Sequence, residues 1–363
     1  MSDTVLSSIN TSEFSDMSSS MLNLYLQDIK KWREERRILE HSTESLLDPN
    51  NKRNSLRPIR WQGIWDYYKL HLSCHWIFED IDLSKDKNDW LSLTDDERFY
   101  IKYGLAFFAG SDFIINKSQK KDGDEVDIIE YNFFNDDKIS RENIHSDTYS
   151  NLLAEYVKDP EEIERLTNAV ETIPAIKKKS EWMEEFINEG TFVERVVAEA
   201  IMEGIFFSGT FCGIYWLRKR GLMPGLCDTN ELIARDEGLH RDFNCYLYRD
   251  VITNKLPEEI LIYMIKKAVV IEKLCVTDSL PVRLIGMNSD MMCQYIEYVA
   301  DHLCFNLIQK RIYNVENPFD DWMNAISLNV KADFFVHRIL AYGKQSIMSD
   351  KKDIKIRFDD MSF

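Results

Sequence analysis

Two copies of one short pattern carry the chemistry of this sequence: Glu142-Asn143-Ile144-His145 and Glu237-Gly238-Leu239-His240. Residues three apart on a helix share a face, so each copy turns a carboxylate and an imidazole toward one point. Tyr149, four residues beyond His145, falls one turn further along the same face. A single acid precedes each pair. Asp112 is enclosed by Leu105, Phe107, Phe108, Phe113, Ile114 and Ile115, and Glu203 by Ala198, Ala200, Ile201, Met202, Ile205, Phe206 and Phe207. A helix hydrophobic all round is a buried one, and a carboxylate buried without a counter-charge costs several kcal/mol or takes up a proton. Both acids therefore call for cations.

The order acid, then Glu-x-x-His some thirty residues on, occurs twice, as expected for two antiparallel helix pairs. Four inward-facing helices then offer six donors, Asp112, Glu142, His145, Glu203, Glu237 and His240, to two metal ions, the arrangement of ferritin-like dimetal carboxylate proteins. Four carboxylates balance two divalent charges, and oxygen-rich donors with few imidazoles suit iron(II) or manganese(II) better than zinc or copper. Asp236 points about 100° round the helix from Glu237 and is the expected outer partner of His145; the alternative is an ion pair with Arg235 or Arg241. A tyrosine in a bundle is ordinarily core packing. Beside a metal pair that oxygen can oxidise, however, Tyr149 could lose one electron and one proton, with Phe207, Phe211 and Ile233 spaced to wall it in.

The elements that hold these residues read as helices throughout. Thr94-Asp95-Asp96-Glu97 is a capping box opening the Asp112 helix. A further helix spans Glu130 to Tyr156, ending before Asp159-Pro160. Helical patterning runs from Glu161 through Trp182, and the most apolar helix covers about Val193 to Leu217, with Gly221 and Pro224-Gly225 as its stop. Asp228-Thr229-Asn230-Glu231 reads as a second capping box, opening the helix of Glu237 and His240. Further helices are expected near 257–279, 289–312 and 330–345. No stretch shows period-two alternation, so the fold class is all-α. Residues 1–55, with a short helix around Met21 to Glu40, read as a mobile arm, 56–345 as the helical domain, and 346–363 as a flexible tail.

Composition limits the alternatives. A net charge of -17 over 363 residues argues against a nucleic-acid surface, and Lys177-Lys178-Lys179 reads as a solvated helix end. Seven cysteines without a Cys-x-x-Cys pair suggest reduced thiols and a cytoplasmic setting. No signal pattern or uninterrupted membrane-length apolar run stands out.

Several stretches, in order, closely resemble the small, radical-generating subunit of class I ribonucleotide reductase in its eukaryotic and viral form: LAFFAGSD (105–112), ENIHSDTY (142–149), EGIFFSG (203–209), RGLMPGL (220–226), NELIARDEGLH (230–240), LIGMN (284–288) and ENPFD (316–320). The resemblance covers about residues 57 to 349. It implies that the six donors bind two irons and that Tyr149 holds a stable radical. That radical would pass to a separate large subunit, where ribonucleoside diphosphates are reduced. It further implies transfer roles for Trp76, Asp236 and Tyr342, docking of the tail ending at Phe363 on the large subunit, and assembly as a homodimer or with a paralogous small subunit. Three departures stand out. Asn135-Asp136-Asp137-Lys138 replaces a mostly aromatic, uncharged stretch, and Lys138, one turn before Glu142, either pairs with Glu203 or Glu142 in competition with a metal or snorkels to solvent. Phe113 stands where a small residue is expected and should alter local packing. Arg357 and Ser362 replace an apolar residue and an acid in the tail. The alternative to an active subunit is a catalytically silent paralogue assisting an active partner; an iron-storage or oxidase bundle would leave Trp76, Tyr342 and the tail unexplained.

Overall fold

The computed structural model describes residues 20–279 and 287–319, and among these no β-strand forms. In chain order the helices are α1 (Ser20–Gln27), α2 (Ile29–Thr43), α3 (Gln62–Leu72), α4 (Asp86–Ser92), α5 (Asp95–Glu125), α6 (Ile129–Tyr156), α7 (Pro160–Thr167), α8 (Ala169–Thr172), α9 (Pro174–Glu189), α10 (Phe192–Ile201), α11 (Ser208–Lys219), α12 (Pro224–Tyr246), α13 (Glu258–Ser279) and α14 (Ser289–Ile308). The expected helix over 330–345, Tyr342 and the 346–363 tail lie outside the described residues.

Local sequence accounts for the long helices. Thr94 accepts from the Glu97 amide at 3.3 Å while Glu97 accepts from the Thr94 amide at 2.7 Å, so α5 opens on the predicted reciprocal cap. Thr191 and Glu194 repeat it at the start of α10. Helices α5 and α6 pack along each other, α10 packs on α12, and contacts of α10 with α5 and of α12 with α6 close a four-helix core. The run from Phe192 to Lys219 is long and apolar enough to cross a bilayer, but 94% of its most apolar window is buried, which marks it as the central helix of that core.

That central run is not one α-helix. Met202–Phe206 forms a π-helical turn between α10 and α11, and Glu203 sits within it. The wider turn rotates Glu203 relative to a regular helix, and such insertions concentrate at functional sites.

Four further expectations need correction. The 161–182 pattern breaks into α7, α8 and the start of α9, because Pro160 and Pro174 each open a new helix at its first turn. The 289–312 helix ends at Ile308: Gln309 turns left-handed (φ 59°), and the Asp301 carboxylate gathers the amides of Ile312, Tyr313, Asn314 and Val315 into a turn. Helix α12 begins at Pro224 rather than Asp228. Its free amides at Gly225 and Leu226 are capped by the two oxygens of Asp86, each at 2.8 Å, so the local box is redundant and Asp228 instead pairs with Arg218. A Cβ on Gly225 would come within 2.7 Å of the Asp82 carbonyl, which requires glycine at this approach.

The fourth correction concerns the arm. Residues 20–51 pack onto the body: Leu22, Tyr25, Arg33, Glu40, Leu46 and Leu47 are all buried. The Arg33 guanidinium meets the Glu194 carboxylate at 3.0 Å, and the Tyr25 hydroxyl donates to the same carboxylate at 2.9 Å. Arg33→Ala should cost about 3 kcal/mol, since it leaves a buried charge without its partner. The measurement is a urea midpoint together with tryptic cleavage inside residues 20–43, and a wild-type midpoint and cleavage pattern would show that α1 and α2 hold by other means.

Candidate metal centre

The four core helices bring the predicted donors together. Asp112 comes from α5, Glu142 and His145 from α6, Glu203 from the π turn, and Glu237 and His240 from α12; all six are buried. Ligand atoms of Glu142, Glu203, Glu237 and His240 lie within 4.8 Å of one another. His145 Nδ1 reaches Glu237 at 2.9 Å and Glu142 at 3.2 Å, and the charges around Asp112 are those of Glu142, His145 and Glu237. The cluster therefore has two halves, Asp112 with His145 and Glu203 with His240, sharing Glu142 and Glu237.

These groups fit cations. Both oxygens of Asp112, both of Glu237, one each of Glu142 and Glu203, and Nδ1 of His240 are buried without a properly aligned hydrogen bond. Buried polar atoms ordinarily have partners, so this many orphans around one point indicates a missing positive charge. Without one, the side chains compete for protons. Burial, reinforced by Glu142 and Glu237, pushes the Asp112 carboxyl well up, and burial pushes Glu203 up to about 8 even with Lys138 beside it. His240 is driven to about 9 against its burial by the hydrogen bond to Glu142. Two divalent ions would relieve all three shifts.

Lys138 does not snorkel. It is buried, 3.3 Å from Glu203 and 3.5 Å from Glu199. Asn244 bridges the same pair, donating to Glu199 and Glu203 at 3.4 Å each. Glu199 thus brings a negative charge of its own. With all five carboxylates ionised, Lys138 offsets one charge of the Glu199 and Glu203 pair it touches, and the net of four negative charges that is left matches two divalent cations. Phe113 is 60% exposed and projects away from the core, so the packing change expected there does not reach the donors.

Around the first half, Asp236 accepts from Trp76 Nε1 at 2.7 Å and lies 3.3 Å from His145 Nε2, while Trp76 stacks on the His145 ring at 5.9 Å and 23°. Asp236 also pairs with Arg235 at 3.0 Å, so the two readings of this residue coexist. Although burial opposes it, Arg235 and the His145 hydrogen bond hold the Asp236 carboxyl well below the usual range. Tyr149 is buried and its hydroxyl has no hydrogen-bond partner. Burial, with Asp112, Glu237 and Glu142, pushes the phenol well above its ordinary value, so it keeps its proton. Phe108 lies flat on the Tyr149 ring at 4.7 Å and 10°, with Phe207 and Phe211 packed behind Phe108 at 5.2 and 4.9 Å. Ile233 is buried as well.

Sequence reasoning missed Phe108 as the direct wall of Tyr149, and Glu199, Asn244, His71 and Asp137 altogether. Phe108 was legible, being four residues before Asp112 on one helix face. Glu199, four residues before Glu203, and Asn244, four residues after His240, were legible by the same spacing; His71, on a separate helix, and Asp137, five residues before Glu142, were not.

The family model described as "Ribonucleotide reductase, small chain" matches residues 53–318. The ribonucleoside-diphosphate reductase small chain of Trypanosoma brucei brucei is 49% identical over 322 residues, 88% of this chain and 95% of that one. The small chain of Monkeypox virus is 47% identical over 310 residues, covering 85% and 97%. Among solved structures, the ribonucleotide reductase Rnr4 homodimer of Saccharomyces cerevisiae aligns with a TM-score of 0.74 at 33% identity, over 82% of this chain and 95% of that one. The dimanganese(II)-NrdF of Streptococcus sanguinis, at 18% identity and a TM-score of 0.64 over 73% and 94%, shares the fold. The core is thus a ferritin-like bundle with added helices, and the chain belongs to the ribonucleotide reductase small-chain family.

Proposed function

We propose that this small chain of a ribonucleoside-diphosphate reductase holds two iron ions in its six-donor cluster and stores an oxidising equivalent as a radical on Tyr149. A large chain would then use that equivalent to reduce ribonucleoside diphosphates. The observation that carries the reading is the set of orphaned carboxylate and imidazole atoms converging beside a phenol that also lacks a partner.

Bound iron, once oxidised by oxygen, supplies a one-electron oxidant; manganese is the alternative ion for so oxygen-rich a donor set. The chain does the rest. Tyr149 would give one electron to that oxidant and its phenolic proton to the adjoining carboxylates, of which Asp112 is the foremost. The stacked Phe108 and the rings behind it keep water and reductants from the phenoxyl oxygen. His145, Asp236 and Trp76 form an unbroken line of contacts leading away from the centre, suited to carrying the equivalent outward. In this reading Tyr342 continues that route, and the tail ending at Phe363 docks on the large chain; both lie outside the described residues. Assembly as a homodimer, or with a paralogous small chain, belongs to the same reading. Seven free cysteines support a reducing, cytoplasmic setting. A silent paralogue would not need six donors and an intact phenol, so it is not favoured.

Apoprotein given iron(II) and oxygen should bind two irons and develop a sharp tyrosyl electron-spin-resonance signal. Tyr149→Phe should lose the signal and keep the iron; wild type with two irons and no signal, under manganese as well, would overturn the reading. Tyr342→Phe should keep the signal and lose nucleotide reduction with the large chain, and retained turnover would remove Tyr342 from the route. Lys138→Met leaves Glu199 and Glu203 without their cation. The metal-free chain should lose about 3–5 kcal/mol, and metal loading should raise Tm further than in wild type. An unchanged apo Tm would show that the ammonium contributes nothing.

A further inference from the structure

The two histidines of the cluster are held from behind by different partners. His145 has Asp236. Behind His240 lies a second imidazole: His240 Nε2 is 2.9 Å from His71 Nε2, and His71 Nδ1 is 2.6 Å from Asp137 Oδ2. His71 is fully buried, while the Asp137 side chain is 18% exposed, so the line runs from the cluster to the edge of the protein.

The hydrogen positions along this line follow from its geometry. Asp137 at 2.6 Å can only accept, so His71 carries its proton on Nδ1. Its Nε2 is then a lone pair, and at 2.9 Å the facing His240 Nε2 must carry the proton between them. In the neutral ring that a metal ion would bind, this leaves His240 Nδ1 as the lone pair. It is the atom that faces the cluster, 3.0 Å from Glu142, 3.5 Å from Glu237 and 3.8 Å from Glu203. A metal ligand needs this tautomer, and the partner of the outer nitrogen decides it.

The placement of His71 is itself fixed. Arg141, next to Glu142, donates to the carbonyls of His71 and Cys74, each at 3.3 Å, and Arg235, next to Asp236, donates to Cys74 at 2.6 Å. The six residues from His71 to Trp76 therefore carry partners for both halves of the cluster, His71 reaching His240 directly and Trp76 reaching His145 through Asp236.

We propose that His71 and Asp137 are positioning residues for the second half of the centre, Asp137 fixing through His71 the tautomer and ring orientation with which His240 faces a metal ion. This rests on the reading that the cluster holds two ions. It assigns the outer face of His240 a role matching that of Asp236 at His145.

The test is cobalt(II) binding by the metal-free full-length protein, followed by metal analysis and by the visible absorption of the bound ion. Wild type should bind two ions per chain. His71→Ala should keep one at wild-type affinity and bind the second about 10- to 100-fold more weakly, with a changed cobalt spectrum. Asp137→Ala should shift both in the same direction. His71→Gln restores an acceptor for the His240 proton and should recover most of the affinity. Two ions bound by His71→Ala with wild-type affinity and spectrum would overturn the proposal. So would a His71→Gln protein as weak as His71→Ala when both melt like wild type in the apo state, since only packing would then be at issue. A wild-type protein that binds no ion would instead remove the metal reading, and the proposal with it.

Discussion

Four buried carboxylates facing one another set the terms for the rest of the structure. Asp112, Glu142, Glu203 and Glu237 come from separate turns of the core, and most of their oxygens have no hydrogen-bond donor in the protein. Left alone, such a group would pull in protons or force the helices apart. The surroundings read as the means of preventing that. Reciprocal caps start α5 and α10 at fixed residues. Buried ion pairs between elements, Arg195 with Asp122 joining α10 to α5 and Lys179 with Glu272 joining α9 to α13, hold the helices in register. Such pairs add little net stability over apolar packing, but breaking one is costly, so they specify a single arrangement.

The two halves of the cluster are built differently. Around Asp112, His145 and Tyr149 the lining is aromatic, with Phe108, Phe207 and Phe211 in mutual contact. Around Glu203 and His240 it is polar, with Lys138, Glu199, Asn244 and His71. A cleft lined by Glu203, Glu237, Arg241 and His302 approaches this second half. On the proposed reading, the aromatic side and the polar side answer different needs: a phenoxyl would survive where no donor can reach it, whereas loading ions and moving protons would require exchangeable groups.

The six donors and the phenol could be read from the sequence because each obeys helical spacing and because an acid in an apolar helix is anomalous on its face. Helix type and most helix ends were readable for the same reason. What escaped depends on partners distant in the chain. Pro224-Gly225 looked like a stop since the group that caps the next helix, Asp86, lies well over a hundred residues earlier. Lys138 does pair with Glu203, as its place one turn before Glu142 allowed; what escaped was Glu199, the second acid it meets, on a different helix. Residues 20–51 looked unattached because their anchor, Arg33 on Glu194, joins an unremarkable polar helix to a core acid. The π turn at Glu203 has no compositional mark at all.

Asp86 also lends the structure an unexpected leverage. Its oxygens cap the first turn of α12, and one of them accepts from the Tyr156 hydroxyl at the last residue of α6. The helices it pins are those that bear Glu142, His145, Glu237 and His240, yet Gly225 and Glu237 are separated by about 18 Å of helix axis. A rigid rod fastened at one end transmits any slip to the other. Substitution of an aspartate in a short connecting helix could thus misalign the donors without touching them, a kind of damage that a survey confined to the cluster would overlook.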